Sequence, residues 1–293
     1  MSALRIPPER EGYRAPPDLA ERREQMGTAI AGGMFATQRP PSEESLAGLR
    51  TLRFRPEGEA RGVMLQLHGG GFRIGRPEFE GPLCEALSAR CNLDIAVPQY
   101  RLSPEAPFPG GLNDALAALR SLAGQAGGVP LIVGGDSAGA GLAASLGLLS
   151  ASGEAPPIAA LVLLSPWLDL TVSAKSYETN AASDPLFSTE SAQAAADLYL
   201  QGQAANQPLV SPLFADIAVY PPTFISVGTG EVLRDDAFAF DETLRFAGIE
   251  SELLAIEGMD HVAVVRDMQA TGARDTFEAI ASFIDRALER ITA

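Results

Sequence analysis

Lysine is nearly missing from this chain: of 22 Lys+Arg residues only Lys175 is a lysine. It stands in neither a G-x-x-x-x-G-K-[ST] nor an S-x-x-K setting, which excludes P-loop and Ser/Lys chemistry. Histidine and cysteine are almost as scarce, with His68 and His261, Cys84 and Cys91. They are too few and too scattered for a His/Cys metal site, and no metal or other cofactor is expected. Long apolar stretches are absent too, the longest uninterrupted run being the seven residues Ile158 to Leu164. Neither a spanning helix nor a signal peptide fits such a chain, so no membrane association is expected. Positive charge is in deficit: 22 Lys+Arg against 37 Asp+Glu give a net charge of −15 and a pI near 4.6. Phosphate binding needs a clustered basic surface, so the charge argues against nucleic acid as a partner, and a small, uncharged ligand is expected. Cys84 and Cys91 fall seven residues apart in an expected helix and its end, where both read as small buried hydrophobes in a reducing cytoplasm rather than as a disulfide.

What is present is core-forming material, with 46 % hydrophobic and 20 % charged residues in 293. Short β-type runs recur at Thr51 to Phe54, Val63 to Leu67, Asp94 to Pro98, Leu131 to Val133, Leu161 to Leu164, Thr223 to Val227 and Glu252 to Ile256. Helical patterns separate most of them, near 80–90, 111–122, 138–150, 234–247 and 275–291. In the last, Phe277, Ile280, Phe283, Ile284, Leu288 and Ile291 form one apolar stripe. Strands alternating with helices predict an α/β fold with a mostly parallel sheet covered on both faces. Two segments break the rhythm: residues 1–45, with a helical stretch near Asp18 to Gly27, and residues 170–215, with a helix near Thr189 to Leu200.

Gly135-Asp-Ser-Ala-Gly139 lies directly between the apolar run Val129 to Val133 and the small-residue helix that begins at Ala140. This is G-x-S-x-G in its strand–turn–helix setting, which marks Ser137 as a nucleophile. A serine on so sharp a turn needs glycine two residues to either side, because side chains there would collide. The overlapping Gly139-Ala-Gly-Leu-Ala-Ala144 also fits a relaxed dinucleotide fingerprint, but no acidic residue ends a strand about 20 residues on. Close helix–sheet packing accounts better for these small residues.

A second glycine cluster, His68-Gly-Gly-Gly-Phe72, follows the run Val63 to Leu67. Bare backbone N–H groups after the third strand form the oxyanion loop of lipases and esterases. Together with Tyr100-Arg-Leu-Ser-Pro-Glu-Ala-Pro-Phe-Pro109, Leu112-Asn-Asp-Ala-Leu-Ala-Ala-Leu119 and Gly135 to Ala140, this loop resembles the hormone-sensitive lipase family of α/β-hydrolases. The resemblance runs from about residue 45 to the C-terminus. It implies an α/β-hydrolase catalytic domain over 46–293, with a small helical cap built from 1–45 and the insertion 170–215. It also implies carboxylic ester hydrolysis, an oxyanion hole formed by the N–H groups of Gly70, Gly71 and Ala138, and a loop-ordering role for His68.

Chain order in these hydrolases is serine, acid, histidine. His261 is the only histidine after Ser137, which makes it the expected base. Glu231 occupies the position, after the run Thr223 to Val227, where the family usually has aspartate; Asp235 and Asp260 are the rival acids. Phe72, Trp167, Phe187 and Tyr199 are the expected substrate-binding side chains, with core packing an equal alternative for Trp167, while Arg101 and Glu105 are expected to brace loops. The expected activity is hydrolysis of small to medium acyl esters by a monomer or homodimer. An amidase, a lactone hydrolase and a non-catalytic receptor are the alternatives.

Overall fold

The computed structural model describes residues 4–292; residues 1–3 of the N-terminal segment and Ala293 lie outside the described residues. The chain runs α1 (Pro17–Ala31), β1 (Ser42–Leu46), β2 (Leu49–Phe54), β3 (Gly62–Leu67), α2 (Gly81–Cys91), β4 (Leu93–Pro98), α3 (Gly110–Gln125), β5 (Leu131–Asp136) and α4 (Ala138–Ala151). It continues through β6 (Ala160–Leu164), α5 (Ser176–Thr179), α6 (Thr189–Leu200), β7 (Thr223–Gly228), α7 (Arg234–Phe246), β8 (Ser251–Ile256), α8 (Ala263–Arg266) and α9 (Ala273–Thr292). The eight strands form one sheet in the order β1-β2-β4-β3-β5-β6-β7-β8. β2 is antiparallel to both neighbours and every later pairing is parallel.

Side-chain alternation decides which helices cover which face. On one face Val63, Leu65, Leu67, Val133, Leu161 and Ile225 pack with α3, α4 and α7. On the other, Met64, Ile95, Ile132, Val162 and Phe224 pack with α2, α8 and α9. Sandwiching between two helical layers explains why the central strands read as near-continuous apolar runs. α4 is buried almost all round, consistent with its Ala, Gly and Leu composition. Cys84 and Cys91 are both buried free thiols in α2, as the sequence predicts.

Three elements escape the sequence pattern. β1 (Ser-Glu-Glu-Ser-Leu) is an edge strand, exposed along most of its length, and so lacks an apolar signature. It begins at Ser42, inside the segment assigned to the cap, so the sheet takes over a few residues earlier than that boundary. α5 and α8 have four residues each, too few to show a helical period.

The register brings the C-terminal ends of the parallel strands to one edge: Leu67 pairs with Gly135, Asp136 with Leu164 and Gly228 with Ile256. Ligands bind at this edge in open α/β sheets.

Candidate active site

Ser137 sits between β5 and α4 with φ 51° and ψ −118°, a left-handed backbone that a serine adopts only under constraint. The two glycines flanking it are sterically required. A Cβ on Gly135 would lie 2.5 Å from the Gly139 backbone, and one on Gly139 would lie 2.0 Å from the Leu67 carbonyl oxygen. Gly141 abuts the Trp167 carbonyl in the same way, at 2.6 Å, so this glycine series serves helix packing. As the first residue of α4, Ala138 has no carbonyl one turn back to receive its N–H.

The loop after β3 stands beside this turn. Gly70 and Gly71 have φ values of 112° and 60°, and no hydrogen bond among the described residues uses their N–H groups. Several contacts fix the loop from outside: the Gly70 carbonyl accepts from Ile74 N–H at 2.9 Å, and the Phe72 carbonyl accepts from the Ser103 N–H and Oγ at 2.8 and 3.1 Å. His68 lies beneath, stacked on Tyr100 with ring centroids 4.2 Å apart, its Nδ1 bonded to the Gly69 carbonyl at 2.8 Å. Burial pushes its pKa down to about 4, so the ring is neutral at pH 7. A buried carboxyl pair backs the loop. Asp136 accepts from Gly69 N–H and hydrogen-bonds Glu80, which Gln66 Nε2 holds at 2.8 Å. Burial and the neighbouring carboxyl push Glu80 well above the usual carboxylate range, and burial raises Asp136 too.

His261 lies on the loop after β8. Its Nε2 is 3.1 Å from Ser137 Oγ, and its Nδ1 is 2.7 Å from Glu231 Oε2. Glu231 Oε1 accepts from Ser165 Oγ at 2.8 Å and from Gly228 N–H at 2.5 Å, so both carboxylate oxygens are engaged. The longer side chain fits because Glu231 turns back over Gly228, where a Cβ would lie 1.9 Å from the Met259 carbonyl. Burial pulls the His261 pKa down, but the hydrogen bond and charge of Glu231, aided by Asp184 and Asp136, outweigh it and leave it raised above 6.5. Asp235 is engaged elsewhere, accepting from Ser176 N–H at 2.9 Å and pairing with Arg234. Asp260 is exposed.

A cavity of about 230 Å³ opens over Ser137 and His261. Its wall includes Arg22, Met26 and Phe35 from the N-terminal segment and Leu186, Phe187 and Ser191 from the insertion. Of the four aromatic residues expected to touch substrate, only Phe187 lines it. The assignments of Phe72, Trp167 and Tyr199 are corrected: all three are buried behind the wall, where Phe72 stacks on Tyr199 at 4.0 Å and Trp167 packs between Phe72 and Phe187. Arg101 and Glu105 brace as expected, Arg101 with Asp114 and Glu9, and Glu105 with Arg23.

Several contributors carry no motif. Ser165 donates to Glu231 while accepting from Val262 N–H at 3.1 Å, tying the acid to the histidine loop. Asp184 accepts from the N–H groups of Leu186, Phe187 and Val232 at 3.0 Å each, which joins the insertion to the residue after Glu231. Among the described residues no helix is long and apolar enough to cross a membrane, and no three His, Cys, Asp or Glu side chains are grouped to hold a metal.

Sheet order, nucleophile turn and glycine loop together define an α/β hydrolase. Residues 64–265 match the alpha/beta hydrolase fold family. An acetyl-hydrolase of Streptomyces hygroscopicus is 38 % identical over 214 residues, covering 71 % of each chain. An esterase of Acinetobacter venetianus is 34 % identical over 219 residues, 73 % of this chain and 71 % of its own. Among solved structures, an esterase from the bacterial hormone-sensitive lipase family superposes with a TM-score of 0.85 at 31 % identity, over 94 % of this chain and 93 % of its own. A hormone-sensitive lipase from a metagenome library gives a TM-score of 0.87 at 30 % identity, with the same coverage. The chain belongs to the α/β-hydrolase fold family and, within it, to the hormone-sensitive lipase family.

Proposed function

We propose that this protein is a carboxylesterase that hydrolyses small to medium acyl esters through Ser137, His261 and Glu231. Relatives named esterase and acetyl-hydrolase support the ester-hydrolase class. The observation that carries the residue assignment is the hydrogen-bonded row from Ser137 Oγ through His261 to Glu231 Oε2, at 3.1 and 2.7 Å, beneath the cavity.

In this reading Ser137 Oγ attacks the ester carbonyl carbon as its proton passes to His261 Nε2. Glu231 holds Nδ1–H and stabilises the imidazolium. The N–H groups of Gly70, Gly71 and Ala138 receive the oxyanion, helped by the N-terminus of α4. His261 then protonates the departing alkoxide, leaving an acyl-serine. Water, activated by the same nitrogen, releases the acid and restores Ser137. The N-terminal segment and the 170–215 insertion act as a cap whose side chains select the acyl group. Each chain carries its whole site, so a monomer and a homodimer work alike, and the free buried thiols suit the reducing cytoplasm.

The test is a p-nitrophenyl ester series of increasing acyl length run beside Ser137→Ala. Turnover by the parent that falls to background in the variant supports the proposal, and equal rates overturn it. Faster cleavage of an isosteric amide than of its ester would move the protein among the amidases.

A further inference from the structure

The cavity wall has an electrostatic character opposite to that of the molecule. In a chain of net charge −15, Arg22, Arg73 and Arg266 all face the pocket of Ser137. Among the described residues the one acidic side chain on that wall is Asp136, which lies at the His261 side of the pocket, beside Gly69 N–H and Glu80, and acts there on His261. Arginines elsewhere are commonly matched to carboxylates, as Arg53 is to Asp94, Arg101 to Asp114 and Arg286 to Glu252. No ion pair among the described residues involves Arg22, Arg73 or Arg266.

Arg73 is the best placed of the three. It follows the glycine loop, and its Nε would lie 3.7 Å from a Cβ built on Gly71. One guanidinium nitrogen, Nη2, is held by the Ser191 carbonyl at 3.2 Å and Ser191 Oγ at 2.8 Å, which fixes the plane of the group. Arg22 approaches from α1, and its charge adds to burial in lowering the Arg73 pKa, offset in part by Asp18. Bringing two guanidinium groups together beside a reacting centre costs energy that a bound anion would return.

We propose that this pocket selects esters that also bear a carboxylate, such as monoesters of short dicarboxylic acids, with Arg73 and Arg22 receiving the carboxylate and Arg266 adding positive charge to the same wall. The planar guanidinium donor pattern matches a carboxylate, while Met26, Phe35 and Leu186 supply apolar wall for the connecting chain. The idea rests on the ester-hydrolase reading and sharpens its substrate class. It replaces the expectation of an uncharged ligand drawn from net charge, because net charge averages over a surface and three side chains set the field in a cavity.

The experiment compares kcat/KM for p-nitrophenyl hydrogen glutarate with that for p-nitrophenyl valerate, a neutral ester of similar length. A parallel pair, 4-acetoxybenzoate and 4-methylphenyl acetate, places the charge on the leaving group. In the parent, the charged member of at least one pair should be favoured roughly tenfold or more, the scale of one charge-assisted contact. That preference should shrink as salt rises from 0.02 to 0.5 M, because the arginines lie partly in solvent. In Arg22→Gln and Arg73→Gln the charged-to-neutral ratio should fall toward one through a higher KM for the charged ester. Arg22 is exposed on α1, so its variant gives a reading even if Arg73→Gln folds poorly. Valerate turnover with no charged preference in either pair, or a preference unmoved by Arg22→Gln and by salt, overturns the inference. Loss of all turnover in the parent would instead overturn the esterase reading beneath it.

Discussion

At the scale of single residues, the proposed role of His261 as base fixes the pH profile expected of this site. The imidazole must be neutral to accept the Ser137 proton, so kcat/KM should rise with pH along a limb set by its pKa. The glutamate interaction raises that pKa, so the midpoint is expected above the ordinary value of 6.5. Removing the carboxylate in Glu231→Ala should lower kcat by roughly 10²-fold or more. It should also move the limb toward lower pH, as the protonated imidazole loses its stabilising charge. Rates measured between pH 5 and 9 check both effects; a limb that stays in place would show that Glu231 does not hold the base. Asp235→Ala, which removes the acceptor of Ser176 N–H, is expected to reduce stability while kcat stays within a fewfold.

The row of Ser137, His261 and Glu231, proposed as the catalytic residues, was legible in the sequence because each is tied to a motif, a strand end or a chain order. Ser165 and Asp184 were not, since a serine or aspartate in a loop is an ordinary turn residue until its hydrogen bonds are known. Phe72 and Tyr199 were placed on the wall, and Trp167 left between wall and core, for the converse reason. An aromatic residue near the sheet edge suits a wall and a core equally well, and burial alone separates the two.

Between residue and molecule, the elements that complete the pocket are attached by side chains. α1 touches the glycine loop through Arg23, whose Nε donates to the Arg73 carbonyl at 2.8 Å while its Nη atoms reach the Ser103 carbonyl and both Glu105 oxygens. Charge-assisted bonds of this sort, partly open to solvent, contribute about 1 to 2 kcal/mol. Arg23→Ala should therefore lower the melting temperature by a few degrees and raise KM more than it lowers kcat. An unchanged KM would separate α1 from substrate binding. A similar bond joins Arg10 to the end of α6, where the Leu200 carbonyl accepts at 2.7 Å. Apolar patterning revealed the buried strands and the longer helices. It did not reveal β1, whose polar side chains satisfy an edge, nor how the N-terminal segment and the 170–215 insertion meet, which depends on arginine bonds that have no period.

For the whole molecule, acidity is stored inside as well as outside. Burial pushes Asp236 up to about 8, although its Oδ2 accepts from the N–H groups of Leu168 and Asp169 at 2.9 Å each. Burial and a like charge raise Glu80, and burial raises Asp136. A carboxyl whose folded pKa exceeds its unfolded value binds a proton more tightly in the native state. Its contribution is full below the unfolded pKa and is lost as pH rises through the folded one. Mutual repulsion in a chain of net charge −15 acts in the same direction. The protein should melt at a higher temperature at pH 6 than at pH 9, and Asp236→Asn should narrow the gap. A gap of equal size in the variant would remove Asp236 from this account.

The way α1 is mounted also bears on how new specificities arise. Arg22 points into the cavity while its neighbour Arg23 fastens the helix, and neither belongs to the sheet that carries Ser137. One position can therefore vary while the other keeps the helix in place. A charge at the mouth can be reversed or erased without disturbing the strained turn that the hydrolytic machinery depends on. With Arg22 as the proposed carboxylate contact, recognition is separable from reactivity, and exchange of the first forty residues between relatives offers a short route by which one scaffold acquires different substrates.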